Sequence, residues 1–250
     1  MRTLRLTLAY DGTDFAGWQV QPDSPTVQGL VREACTRILG EPVKLTGASR
    51  TDAGVHALRQ VASFTTGSSL DPARLTRGLN ALLPDAVRVL DAREAPAGFD
   101  ARRSAFGKRY LYVIDRARVA HPLLRRVAWH PRFALDVEVM RSALASIRGK
   151  HDFSAFCASP GRGRTPTCTV RSARLVARGM RLAILLSADS FLHHMVRNIV
   201  GSLVEVGRGA RTSSWMSELL AVRDRTRSGP TAPPQGLVLL RVLYGETGRG

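Results

Sequence analysis

The chain has 250 residues, enough for one large domain or two small ones, and 44% of them are apolar, which allows a sizeable core. Its formal net charge is +17, and only Lys44, Lys108 and Lys150 among its cations are lysines; the rest are arginines. Such an excess points to a polyanionic partner, either nucleic acid or an acidic membrane surface, and the planar arginine fork suits phosphates and bases. The longest apolar run, residues 182–186, is far too short to span a bilayer. Three cysteines, Cys35, Cys157 and Cys168, are too few and too irregularly spaced for a disulfide framework or a zinc site. Reduced thiols in a cytoplasmic protein without membrane association are the expectation.

Leu4, Leu6, Leu8 and Tyr10 alternate with Arg5, Thr7 and Ala9, the pattern of a half-buried strand. Thr26 can cap a helix that carries Val27, Leu30, Val31, Ala34 and Ile38 on one face and ends at Gly40. A short strand over 43–46 and a longer one over 60–65 follow. Asp71-Pro72 opens a second helix with Leu75, Leu79 and Leu82 inward, Pro84 closes it, and residues 87–90 form another strand. The order is β-α-β-β-α-β, the split pattern of ferredoxin-like units.

The second half repeats that order. A strand over 109–114 precedes a helix over 136–148, with Val137, Met140, Leu144 and Ile147 inward. Segments 169–177 and 180–188 read as a hairpin turned at Arg178-Gly179. Helices are expected over 191–206 and 214–222, and a last strand over 237–244. The expected class is therefore α+β: residues 1–100 as an N-terminal ferredoxin-like half and 101–250 as a C-terminal one, joined near 93–107. Sheets in two such halves commonly merge, leaving a cleft.

Between the strands of the first half lies Gly47-Ala48-Ser49-Arg50-Thr51-Asp52-Ala53-Gly54-Val55-His56-Ala57. Thr-Asp-Ala-Gly is an ordinary turn sequence. It also sets one carboxylate, Asp52, in strongly basic surroundings, which favour the ionised form of a carboxylate, and such a group can act as nucleophile or base. His56 can touch a substrate or support the turn. Arg197 falls just outside the apolar arc of the 191–206 helix, where it either snorkels to water or meets an anionic partner such as Asp52. Tyr110 and Tyr112 share one strand face beside Lys108 and Arg109; such a face can stack an unpaired base or simply fill a core. The glycine-rich stretch 157–168 carries Arg162 and Arg164, a solvated loop or an arm along a phosphate backbone. His193 and His194, taken as neighbours on a helix, point about 100° apart and do not suit one metal. His-Glu-x-x-His, Cys-x-x-Cys, Gly-x-Ser-x-Gly and phosphate-loop patterns are absent from the sequence.

The segment 50–57 resembles the signature of the TruA family of tRNA pseudouridine synthases. Further blocks resemble that family in order: Tyr10-Asp11-Gly12-Thr13-Asp14-Phe15-Ala16-Gly17-Trp18-Gln19 with Thr26-Val27-Gln28, then Phe99-Asp100-Ala101-Arg102 and Arg109-Tyr110-x-Tyr112. His151-Asp152-Phe153, the run from Met195 to Gly201, and Ala232-Pro233-Pro234-x-Gly236-Leu237 complete the set. Ser49, Arg103 and Ser190 depart from the usual pattern. The resemblance implies an isomerase converting uridine to pseudouridine at positions 38, 39 and 40 of the tRNA anticodon arm. It implies a homodimer and a large, mainly antiparallel sheet flanked by helices with a central basic cleft. Asp52 matches the catalytic nucleophile, Tyr110 the tyrosine that packs on the target base, Arg197 the aspartate's basic partner, and Arg50 an arginine that helps extrude the base. Arg102, Lys108, Arg162 and Arg164 are candidates for the RNA backbone.

The reaction moves ribose C1′ from N1 to C5 of the base, oxidises nothing and transfers no group from a donor. No cofactor and no metal are therefore expected. Two other classes remain open from sequence: an RNA-binding assembly factor without activity, and a nucleic-acid methyltransferase, although no glycine-rich loop follows the first strand to hold a methyl donor.

Overall fold

The computed structural model describes residues 1–158 and 165–245. They form two compact units, one of Met1–Phe106 with the chain from Val238 on, the other of Gly107–Leu237. Both are α+β.

In the first unit, β1 (Arg2–Tyr10), α1 (Val27–Leu39), β2 (Thr46–Gly47), β3 (His56–Thr66), α2 (Pro72–Leu82) and β4 (Val87–Ala95) follow the expected order. Strand β1 lies between β4 and β3, antiparallel to both. The other edge of the long β3 is shared: β2 pairs at Ser63 and Ala62, and β9 (Leu237–Tyr244) pairs in parallel at His56 and Ala57. Leu4, Leu6 and Leu8 are fully buried. The opposite face is covered as well, so β1 is more enclosed than a half-buried strand. Thr3 and Thr7 are buried, and between them the Arg5 guanidinium packs under Tyr244 (4.8 Å) and Phe99 (5.8 Å).

Local signals place the helix ends. The Thr26 hydroxyl accepts from the Gly29 N–H, and Gly40 closes α1 in the left-handed region at φ 69°. Asp71 caps α2 by accepting from the Arg74 N–H. Leu75 and Leu79 are buried as expected, but Leu82 is exposed, because α2 ends there and Leu83 turns inward in its place. Val43 and Leu45 are buried without joining a ladder, so β2 starts at Thr46 rather than at 43.

The second unit contains β5 (Ala105–Asp115, most of it in this unit), α3 (Val137–Ala145), β6 (Gly149–Asp152), β7 (Thr167–Arg178), β8 (Arg181–Ala188), α4 (Met195–Gly207) and α5 (Trp215–Val222). The ladder runs β5-β8-β7-β6, each pair antiparallel. The hairpin turns at Gly179-Met180, one residue later than expected, since Arg178 already pairs with Arg181. Strand β6 has no signal in the sequence. Helix α4 begins at Met195, not at 191, because His194 takes a left-handed conformation at φ 61° that a helix cannot cross.

Candidate active site

Asp52 lies in the 48–55 segment joining β2 to β3. Antiparallel pairing continues past β2 to Ala48, whose N–H donates to Val61 O (2.8 Å), and there the chain leaves the sheet. What holds it beyond that point is mostly the 11–18 segment. The Trp18 N–H donates to Thr51 O (3.0 Å), and the Gly54 N–H donates to Phe15 O (3.3 Å). Gly54 sits at φ 77°, and the Val55 N–H closes the turn onto Asp52 O (3.1 Å). Two glycines permit this close approach. A Cβ on Gly12 would stand 2.0 Å from Val55 O, and one on Gly17, which is at φ 95°, would stand 2.6 Å from Thr51 O. Trp18 is buried, and its indole lies so near Gly47 that a Cβ there would be 2.3 Å from Nε1. The Asp-Gly-x-x-x-x-Gly-Trp block is thus the bed on which the Asp52 turn rests.

The side chains around this turn are mostly spoken for. Tyr10 Oη lies 2.8 Å from Thr51 Oγ1, and both residues are buried. The Gln60 amide bonds the Ser49 peptide. Buried His56 accepts the Gly12 N–H at Nδ1 (3.1 Å), a supporting role for the bed. Asp52 is half-buried and Arg50 is exposed. Neither Tyr10 nor Gln60 stood out as a site residue in the sequence; the only cue for Gln60 was a polar residue within an otherwise buried strand.

The second unit carries Tyr110, Lys108 and Arg197. Tyr110 on β5 is buried, its ring edge-on to Phe191 at 4.9 Å. Lys108 on the same strand is half-buried. Tyr112 is fully buried and donates to Pro233 O (2.7 Å), as a core residue would. Burial pushes its phenol well above the ordinary value, while the nearby Arg197 charge acts in the opposite direction. Gly236 packs against this ring: a Cβ there would be 2.6 Å from it.

Arg197 lies in the first turn of α4 and is half-buried. Its Nε donates to Ala232 O (2.8 Å), while its own carbonyl accepts the Ala232 N–H (3.1 Å). The neighbouring Asn198 is fully buried, donating to Phe156 O (2.8 Å) and accepting from Arg225 and Thr231. The Arg225 guanidinium also bonds Ser228 Oγ, Gly229 O and Thr231 Oγ1. The segment after α5 is thereby tied to the start of α4.

The helical geometry expected for His193 and His194 does not hold. Both precede α4, and their rings lie 3.9 Å apart at 38°. His193 is exposed. Arg102 is exposed, its N–H donating to Asp100 Oδ1 (2.8 Å). Arg162 and Arg164 lie outside the described residues. Of the three departures from the family pattern, Ser49 is bonded by Gln60. The Arg103 N–H donates to Asp100 Oδ1 (2.7 Å), and Ser190 bonds Asp189 and Cys168 Sγ. Among the described residues, no helix is long and apolar enough to cross a membrane.

Residues 7–102 and 143–245 match the family model described as tRNA pseudouridine synthase. A protein named tRNA pseudouridine synthase A from Myxococcus xanthus is 46% identical over 98% of this chain and 92% of its own length. Proteins of the same name from Geotalea uraniireducens and Geobacter sulfurreducens are 45% and 43% identical over 98% of this chain and all of theirs. These matches define an RNA-modifying isomerase. The chain belongs to the tRNA pseudouridine synthase family.

Proposed function

We propose that this enzyme isomerises uridine to pseudouridine at positions 38, 39 and 40 in the anticodon arm of tRNA, with Asp52 as the catalytic nucleophile. The observation that carries the reading is the fixed backbone around Asp52, held on both sides by backbone hydrogen bonds to the 11–18 segment. A group that must meet one carbon of an extruded nucleoside needs such a mount, since a misplacement of about 1 Å can cost on the order of 10²-fold in rate. In the reaction the N1–C1′ bond breaks and the C5–C1′ bond forms; C5 loses its proton to water and N1 takes one up.

The target uridine leaves its stack at a cost of a few kcal/mol. Exposed Arg50, two residues before Asp52, fills the vacated space. Tyr110 packs against the extruded base, and Arg197 serves as the basic partner of the carboxylate. Arg102, Lys108, Arg162 and Arg164 bind the RNA backbone. By its family resemblance the enzyme works as a homodimer in the cytoplasm.

Asp52→Asn keeps the side-chain shape and removes the nucleophile. Release of tritium from C5-labelled uridine in tRNA is expected to fall to background, with tRNA affinity nearly unchanged. Turnover near that of the unaltered enzyme would reject the assignment. A purely RNA-binding protein would release no tritium in either form.

A further inference from the structure

We infer that Gln60 is a positioning residue of the catalytic loop: its buried amide, with the Tyr10 and Thr51 hydroxyls, fixes the backbone on both sides of Arg50 and so sets where Arg50 and Asp52 point. The inference rests on the reading of Asp52 as the nucleophile.

The argument begins with the ladder between β2 and β3. Thr46 pairs with Ser63 and Gly47 with Ala62, and the Ala48 N–H still reaches Val61 O. The next rung would join Ser49 to Gln60. An antiparallel ladder places no backbone bond between that pair, since Ala48 and Val61 are the hydrogen-bonded one, and there the side chain of Gln60 supplies bonds of its own. Its Oε1 accepts the Ser49 N–H (3.3 Å), and its Nε2 donates to Ser49 O (2.6 Å). A side-chain amide carries the same donor and acceptor as a peptide but reaches further, so it lets the chain leave the sheet while still gripping it.

The two remaining capacities of the amide are also used. Oε1 accepts the Val61 N–H (3.2 Å), and Nε2 donates to Tyr10 Oη (3.4 Å). With two lone pairs and two N–H groups engaged, the amide has one orientation that satisfies it, and at 0% exposure water cannot replace a lost partner. Tyr10 Oη passes the constraint to Thr51 Oγ1, whose residue is also held through its carbonyl by Trp18. The residue before Arg50 and the residue after it are thus both fixed, and Asp52 is the next in the chain.

A packing role alone and a positioning role make different predictions. Gln60→Glu keeps the volume and removes the two N–H donors. Tyr10→Phe removes the hydroxyl that bonds Thr51 Oγ1 and accepts from Gln60 Nε2. Thr51→Val keeps volume without the hydroxyl, whereas Thr51→Ser keeps the hydroxyl at smaller volume.

The experiment measures the single-turnover rate of tritium release at saturating tRNA, with tRNA affinity and thermal unfolding measured in parallel, for each variant beside Asp52→Asn. Gln60→Glu should slow the step by about tenfold or more with tRNA Kd within about twofold. Tyr10→Phe and Thr51→Val should each slow it several-fold, and Thr51→Ser should restore the rate. The Tyr10→Phe/Gln60→Glu pair should lose less than the product of the single effects, because both act through one network.

Normal rates in folded Gln60→Glu, or Thr51→Val outperforming Thr51→Ser, would overturn the inference. If Gln60→Glu does not fold, an unchanged rate in Tyr10→Phe overturns it instead. A fully active Asp52→Asn would overturn the reading of the nucleophile itself, an outcome distinct from an inactive Asp52→Asn beside a normal Gln60→Glu.

Discussion

Gly12→Ala tests whether the bed beneath Asp52 matters to the chemistry. The new methyl would stand 2.0 Å from Val55 O and 2.6 Å from its carbonyl carbon, with backbone rather than a flexible side chain in the way. Ordinary contact needs a separation greater by about 1.4 Å, so either the Gly12 segment or the Val55 peptide must move by that order. Val55 is bonded to Asp52 O, and the Gly12 N–H to His56, so both ends of the displacement reach the Asp52 turn. Overpacking of this kind costs about 1–3 kcal/mol. For a chain of this length that is a fall of about 2–4 °C in Tm per kcal/mol. A shift near 1 Å at a group acting as the proposed nucleophile is worth on the order of 10²-fold in rate.

The control is Gly40→Ala. Gly40 is at φ 69°, with nothing within 4 Å of its would-be Cβ, so the variant carries backbone strain of about 1–2 kcal/mol and no clash. Tritium release from labelled tRNA, measured well below both Tm values and normalised to folded protein, separates the two effects. Gly12→Ala should lose activity far beyond its loss of stability, and Gly40→Ala should lose stability alone. A Gly12→Ala enzyme with the full rate would refute the claim that this glycine sets the position of Asp52 for the reaction.

Three further outcomes are expected. Arg225→Ala removes a guanidinium bonded to Asn198, Ser228, Gly229 and Thr231, so Tm should fall by the equivalent of about 1–3 kcal/mol in thermal unfolding, with a slower rate if the clamp also orients the adjacent Arg197. Burial pushes the Cys35 thiol up to about 12, so at pH 8 it should resist alkylation until the chain is unfolded, which mass spectrometry of trapped thiols would reveal. Affinity for tRNA should fall steeply with salt, and Arg102→Ala or Lys108→Ala should each flatten the log–log slope by about one unit if the residue neutralises a phosphate.

The family motif around Asp52 and several helix ends were legible in the sequence, for reasons that differ. Thr26 and Asp71 cap the helices expected to follow them, because a cap bonds an N–H only two or three residues away, whereas the helix expected over 136–148 spans Val137–Ala145, with Asp136 as its cap. The Asp52 motif was recognisable as a string of residue types in order, and the glycines around it are where close backbone approach requires them. The limits are equally physical. The apolar pattern of α4 runs on through Phe191 and Leu192, but periodicity carries no sign of the positive φ at His194 that starts the helix later. Strand β6 is four residues of Gly-Lys-His-Asp with no alternation to betray it, and it exists because β7 offers an edge.

The amino-acid order by itself therefore determined the class of the chain, its alternation of strands and helices, and which acidic residue to examine. Those features depend on contacts within a few residues or on the identity of a short motif. Tertiary structure alone decided what holds that residue in place. The Gln60 amide reaches partners 11 and 50 positions away in the chain, and Tyr10 meets Thr51 across 41. Likewise β9 returns from the far end of the sequence to pair in parallel with β3. Such contacts exist only across the assembled sheet, and no local propensity encodes which distant segment will supply the partner.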